Sequence, residues 1–208
     1  MSFIHKIKLC ILNLFSKYHQ LILKIKGIKM GSGCFVNKAP YIRMAKGSQI
    51  ILGDNVTITS NRRHNPLLEH PAVLRTLSPD AIIEMKQNSG MSGASLICAN
   101  RISVGEYTII GPGTLIYDSE GHNYDKNTGW SKQGTRTGRP ITIGKKCFIG
   151  ARCIILSGVT IGNNCVISAG SVISQNIPDG HKASGNPATY TPLPKMLGGI
   201  GKINKNRA

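Results

Sequence analysis

Six isoleucines, Ile143, Ile149, Ile155, Ile161, Ile167 and Ile173, stand six residues apart without a slip. Gly144, Gly150 and Gly162 follow three of them. Two residues before each isoleucine comes a mostly small residue: Ile141, Cys147, Cys153, Val159, Cys165 and Ser171. A period of six is neither the 3.6 of a helix nor the alternation of one long strand. It predicts short strands broken by turns, one hexapeptide to each face of a solenoid. The same register is read upstream at Leu52 and Ile58, then Met85, Met91 and Ile97. After one inserted residue it resumes at Val104, Ile110 and Ile116, with Gly105 and Gly111 following. Each isoleucine is expected to rest on its counterparts in the coils above and below, contributing roughly 1.5–3 kcal/mol when fully buried. The small residues suit tight inner corners, where bulkier side chains overpack.

Two stretches break the period. Residues 59–80 form a polar, proline-bearing excursion, and residues 117–140 form another that holds Trp130, the one tryptophan. Excursions from a rigid scaffold are where function usually sits. The solenoid domain is expected over residues 30–190, with a capping segment beyond Ile177. A basic, glycine-bearing tail is expected over residues 191–208, carrying Lys195, Lys202, Lys205 and Arg207.

Residues 1–29 differ in kind. Ile4, Ile7, Ile11, Leu14, Phe15, Tyr18, Leu21, Ile22 and Ile25 recur at three- and four-residue steps, the pattern of an amphipathic helix. Lys6, Lys8, Lys17, Lys24, Lys26 and Lys29 interrupt it, and no acid does. Two readings stay open: a helix packed on the main domain or on a neighbouring subunit, and a helix lying in an anionic membrane surface. A transmembrane span and a secretory signal are not expected, because lysines break every apolar run and no small-residue cleavage site follows.

Composition narrows the class. Apolar residues make up 40% and aromatics 5%, so the core must be built from Ile, Val, Leu and small residues. Six cysteines without a CxxC spacing suit reduced thiols in a cytoplasmic protein, and their corner positions make them core filler. With 26 Lys+Arg against 9 Asp+Glu, the net charge of +17 attracts anionic partners of any kind. No nucleic-acid partner is expected, because the basic residues are not interleaved with aromatics.

The run Gly138–Arg139–Pro140–Ile141–Thr142–Ile143–Gly144 resembles the hexapeptide-repeat acyltransferases, as do Phe148–Ile149–Gly150–Ala151 and Gly158–Val159–Thr160–Ile161–Gly162. Ala169–Gly170–Ser171–Val172–Ile173, Ile177–Pro178 and Gly185–Asn186–Pro187–Ala188 continue the likeness. Upstream, Ser92–Gly93, Val104–Gly105 and Ile116–Tyr117–Asp118 leading to His122 also fit. The resemblance covers about residues 45–190 and is nearest to maltose, galactoside and surface-polysaccharide O-acetyltransferases. It implies an all-β solenoid, a left-handed parallel β-helix, here with an N-terminal amphipathic helix and an excursion loop. It also implies a homotrimer that moves an acetyl group from acetyl-CoA to a glycan hydroxyl, without a metal.

A hydroxyl needs a base as it attacks a thioester, and imidazole suits the task with an ordinary pKa of about 6.5. Of the six histidines, His5 and His19 lie in the N-terminal helix, His64 and His70 in the first excursion and His181 in the cap. His122 stands where the coil hands over to the second excursion, the position at which the resembling enzymes carry the base. Asp118, Tyr117, Ser92 and Trp130 are the candidates for orienting it or meeting the acceptor, with Glu120 also near Asp118 in sequence. Phe148, Gly150, Ala151, Arg152, Ala169, Gly170 and Pro187 are the candidates for holding CoA. Departures from the family pattern include Phe148 for Trp and Ala151 for an oxyanion-binding Ser. Gln175 and Thr189 replace lysines that neutralise CoA phosphates, leaving Arg152 and Lys182 as substitutes. The alternatives are acetylation of a xenobiotic or other small molecule, a non-catalytic trimeric scaffold, and a γ-type carbonic anhydrase. The last needs three metal-binding histidines in register, which His64 and His70 do not supply. A cytoplasmic protein, peripheral on the inner face of the membrane, is the expected location.

Overall fold

The computed structural model describes residues 3–134 and 137–194. Strands of two to four residues wind into six triangular coils and stack into three parallel faces. The first face runs through Lys29–Met30, Gln49–Leu52, Ile82–Met85, Arg101–Val104, Ile141–Ile143 and Thr160–Ile161. The second runs through Phe35–Val36, Thr57–Thr59, Gly90–Ser92, Ile109–Ile110, Phe148–Ile149 and Val166–Ile167. The third runs through Tyr41–Arg43, Val73–Thr76, Ser95–Cys98, Leu115–Tyr117, Ile154–Ile155 and Val172–Ile173. Corner I joins the first face to the second, corner II the second to the third, and corner III the third to the next coil.

Core and register follow from the hexapeptide. Ile143, Ile149, Ile155, Ile161, Ile167 and Ile173 are all buried, and Ile143 pairs with Ile161, Ile149 with Ile167 and Ile155 with Ile173. The glycine after the isoleucine is required by coil spacing. A Cβ on Gly144 would lie 2.6 Å from the Gly162 carbonyl carbon, and one on Gly111 would lie 2.7 Å from the Ala151 nitrogen. The corner cysteines turn their thiols onto carbonyls of the adjoining coil: Cys147 donates to Gly162 at 3.0 Å, Cys153 to Ser168 at 3.2 Å and Cys165 to Pro178 at 3.1 Å. Burial pushes the Cys34, Cys98 and Cys153 thiols above their ordinary pKa.

The third coil departs from strict sixfold spacing. Its corner II holds only Gly93 and Ala94, so the following strand buries Leu96 and Cys98 and turns Ile97 partly outward. The first excursion is also shorter than residues 59–80. It covers residues 60–72, because Val73–Thr76 alternates buried and half-buried positions and pairs with Tyr41–Arg43 and Ser95–Cys98. The second leaves the coil after Tyr117 and folds into a hairpin, His122–Asp125 against Gly129–Gly134.

Both ends of the solenoid are covered. At the far end His181–Gly185 and Ala188–Pro192 form an antiparallel hairpin on the second face, so the solenoid unit extends past residue 190 to Leu193, whose N–H donates to Gly180 at 2.8 Å. Gln175 Nε2 donates to the Ala188 carbonyl at 3.0 Å, which gives this residue an anchoring role in the cap. The basic tail from residue 195 onward lies outside the described residues. At the near end helix α1 (Phe3–Ile25) lies across the open first coil. Leu23 enters the core, Ser16 Oγ accepts from Val36 N at 2.9 Å, and Gln20 Nε2 donates to the Cys34 carbonyl at 2.7 Å. These bonds satisfy edge groups that no further coil would reach.

Coil spacing makes a direct test. Gly144→Val should lower stability by about 1–3 kcal/mol through overpacking, whereas Thr142→Val, on the exposed side of the same strand, should leave the unfolding midpoint nearly unchanged. Denaturant unfolding of the two variants measures the difference.

Candidate functional site

His122 opens the hairpin at corner III of the fourth coil, with its ring exposed. The chain leaves the coil at Asp118 and returns at Gly138–Arg139, and the two points are tied: Arg139 N donates to the Asp118 carbonyl at 2.8 Å, and Asn100 Nδ2 donates to the Gly138 carbonyl at 3.0 Å. The His122 Nδ1 lies 2.8 Å from the Ser131 carbonyl oxygen on the facing strand. A carbonyl only accepts, so this contact assigns the proton to Nδ1 and leaves the Nε2 lone pair directed outward. That is the tautomer a general base requires.

Asp118 does not orient His122. It is fully buried, and its carboxylate accepts from Ala99 N at 2.6 Å and Asn100 N at 2.8 Å. It holds the base of the loop instead. Glu120 pairs instead with Arg139, at 3.1 Å across an exposed surface. Tyr117 ends the third-face strand, its hydroxyl under Gly121 and beside the start of the hairpin. Trp130 is 70% exposed and meets Tyr124 edge-on across the hairpin, ring centroids 5.2 Å apart. Beside them Glu120, Asn123, Gly138, Arg139 and Ser157 line a recess of about 210 Å³. The Arg139 Nε donates to Ser157 Oγ at 3.2 Å there.

The candidates for CoA lie elsewhere. Ala151, Arg152, Ala169 and Gly170 line a groove of about 580 Å³ at corner II, running from the fourth coil to the sixth. The first excursion forms its other wall with Arg62, Pro66, Leu67, Leu68 and Glu69. Leu68 is buried over Gly93, and Arg152 is ion-paired to Glu69. Gly150 sits at the buried entry to this corner, and Ser92 ends the second-face strand just before Gly93. Phe148 instead points outward from the second face in register with Ile109 and Val166, and Pro187 is exposed in the turn of the cap hairpin. Neither lines the groove.

The candidate residues therefore divide between two corners. His122, Tyr117, Asp118 and Trp130 gather at corner III; Ser92, Gly150, Ala151, Arg152, Ala169 and Gly170 gather at corner II. The full width of the third face separates them within one chain. Sequence reasoning missed the Ser131 carbonyl, which carries no side-chain signature, and the recess built on Arg139, whose Gly-Arg-Pro run was noted only for its likeness. Among the described residues, no group of three or more His, Cys, Asp or Glu is arranged to hold a metal ion.

Known proteins bear on this geometry. Residues 140–175 match the family described as hexapeptide repeat of succinyl-transferase. Nodulation protein L of Rhizobium meliloti (strain 1021) is 48% identical over 88 residues, 42% of this chain and 46% of that protein. Nodulation protein L of Rhizobium leguminosarum bv. viciae is 48% identical over 87 residues. The matched part of the chain thus spans about half the length of these curated relatives. Among solved structures, a mutant of the N-acyltransferase AntD from Bacillus cereus, in complex with dTDP-4-amino-4,6-dideoxyglucose and coenzyme A, aligns with a TM-score of 0.65 at 17% identity. It covers 86% of this chain and 91% of its own. A hexapeptide-repeat-containing acetyltransferase from Vibrio cholerae, complexed with acetyl coenzyme A, aligns with a TM-score of 0.51 at 20% identity, over 92% and 85%. These likenesses bear out the expected left-handed parallel β-helix.

The placement of Asp118 separates scaffold from chemistry. Asp118→Ala strands the buried Ala99 N–H and the half-buried Asn100 N–H, so it should cost about 2 kcal/mol in unfolding free energy. Trp130→Ala, on the exposed hairpin, should leave the unfolding midpoint almost unmoved; paired denaturation curves make the check.

Proposed function

We propose that this protein is an acetyl-CoA-dependent O-acetyltransferase that modifies a sugar hydroxyl, with His122 as general base. The observation that carries the reading is the His122 ring, held by the Ser131 carbonyl with Nε2 free at the mouth of a loop. In the reaction Nε2 takes the hydroxyl proton as the oxygen attacks the thioester carbonyl. The tetrahedral intermediate collapses, the carbon–sulfur bond breaks, and the proton passes to the departing CoA sulfur. The recess beside Arg139 and the exposed Trp130–Tyr124 pair offer the acceptor hydrogen bonds and an aromatic face.

The corner II groove fits the co-substrate. Ala151, Ala169 and Gly170 leave room for a slender chain along the coils, and Arg62 and Arg152 supply cations for its phosphates. Arg152 would exchange Glu69 for phosphate, a small loss because exposed ion pairs contribute little. The complexes of the Bacillus and Vibrio proteins with CoA and acetyl-CoA support the choice of co-substrate.

A single chain holds only half of each site, so the active form is a homotrimer whose clefts join corner III of one subunit to corner II of the next. Apolar side chains on the outer sides of two faces support that assembly: Ile109 and Phe148 on the second face, Ile154 and Leu156 on the third. The preferred acceptor is a surface-glycan precursor, handled in the cytoplasm near the membrane.

Purified full-length protein, given acetyl-CoA and a panel of sugars, should release free CoA thiol and form an alkali-labile ester. His122→Ala should lower the rate by about 10²–10⁴-fold while its melting curve stays that of the wild type. Near-wild-type turnover by the folded variant refutes the assignment. Light scattering should report three chains for the active species.

A further inference from the structure

We propose that α1 docks the protein on an anionic membrane surface, its outward apolar stripe seated among the headgroups and its lysines on lipid phosphates. The inference does not depend on the acetyl-transfer reading. Helix α1 packs a mixed face on the first coil, anchored by Ser16, Gln20 and Leu23, and leaves its apolar stripe uncovered. Leu12, Ser16, His19, Gln20 and Leu23 face the first coil. On the opposite side of the helix, at about 100° per residue, run Ile7, Ile11, Leu14, Tyr18, Leu21 and Ile25, spaced alternately by four and three. With Phe15 they are 44–77% exposed. Ile11, Leu14, Phe15 and Tyr18 enclose a shallow recess of about 390 Å³. A helix resting on a domain with its other face in water carries polar residues there, and this one does not.

Charge identifies the occupant. Lys17 and Lys24 flank one edge of the stripe and Lys26 the other, all exposed. Residues 1–29 contain no Asp or Glu. Apolar side chains bordered by lysines on both sides match the boundary between acyl chains and phosphate headgroups. A second copy docking stripe to stripe would bring these lysines together without a carboxylate, between chains that each carry +17. No described helix is long and apolar enough to cross a membrane, so α1 lies in the surface plane. Because α1 covers the open end of the solenoid, the stripe faces away from the coils and nothing in the fold obstructs a flat surface.

The test is co-sedimentation of full-length protein with vesicles of phosphatidylcholine alone and of phosphatidylcholine with phosphatidylglycerol. Deleting the helix would uncover the core around Leu23, so point variants are used. The wild type should pellet with the anionic vesicles at least about tenfold better than with neutral ones, and about 0.5 M salt should weaken this. Leu14→Glu/Phe15→Glu and Lys17→Glu/Lys24→Glu should each reduce binding about tenfold or more, with unchanged melting curves. An environment-sensitive dye on Cys10, the one exposed cysteine, should shift to the blue with anionic vesicles only. Wild-type protein left in the supernatant with both vesicles, or equal binding to both, overturns the proposal. So does a loss of self-association in Leu14→Glu/Phe15→Glu measured by sedimentation velocity, which would make the stripe a protein interface.

Discussion

Successive coils lie one strand spacing apart, and the rest of the structure depends on that distance. It stacks isoleucine on isoleucine along the core, and at Gly144, Gly150 and Gly162 it brings backbone so close that the residue after the isoleucine must lack a Cβ. Gly105 against Gly144, where a Cβ would lie 2.4 Å from backbone, and Gly150 against Ala169, at 2.5 Å, are where coil meets coil most tightly. Thiols at the corners suit the same need, being small, apolar and able to give a weak bond to a carbonyl of the adjoining coil. A stack so regular leaves little freedom for chemistry on the faces. Function is displaced to the corners, where the chain can leave and return.

Two departures use that freedom, at different corners. The excursion over residues 60–72 walls a groove along corner II, and the hairpin after Asp118 lifts His122 from corner III. Asp118, buried under the exit point, fixes the base of the hairpin by holding the Ala99 and Asn100 N–H groups. The Ser131 carbonyl then sets the histidine ring. Precision at the base comes from the scaffold, and the hairpin inherits it. In the trimer we propose, the division of the site between corners has a chemical purpose: a neighbouring subunit supplies what one chain lacks.

Much of this was legible in the sequence, and the failures have local causes. The period of six located the inward residues from Ile143 to Ile173 because every corner there has the same length. It misplaced Ile97, since the two-residue corner Gly93–Ala94 shortens the step and brings Leu96 inward. It overextended the first excursion, because Arg75 and Thr76 disguise a coil strand as loop. His122 was legible from its place after the Ile-Tyr-Asp run, but its partner was not, because a backbone carbonyl has no signature. Asp118 looked fit to orient the histidine for being acidic and near, while its oxygens are occupied by backbone N–H groups. The apolar stripe of α1 was visible as periodicity, whereas its exposure depends on Ser16, Gln20 and Leu23 taking the other side.

The central claim is that base and cofactor groove meet only between chains. Its most direct test combines two defective subunits: His122→Ala, lacking the base, and Ala169→Trp, with a bulky ring in the groove. Each homotrimer should be nearly inactive. Co-assembled at equal amounts, random trimers should recover about a quarter of wild-type activity, because one cleft in four joins an intact histidine to an intact groove across the interface. Mixed trimers as inactive as their parents would place both halves of the site in the same chain and contradict the account.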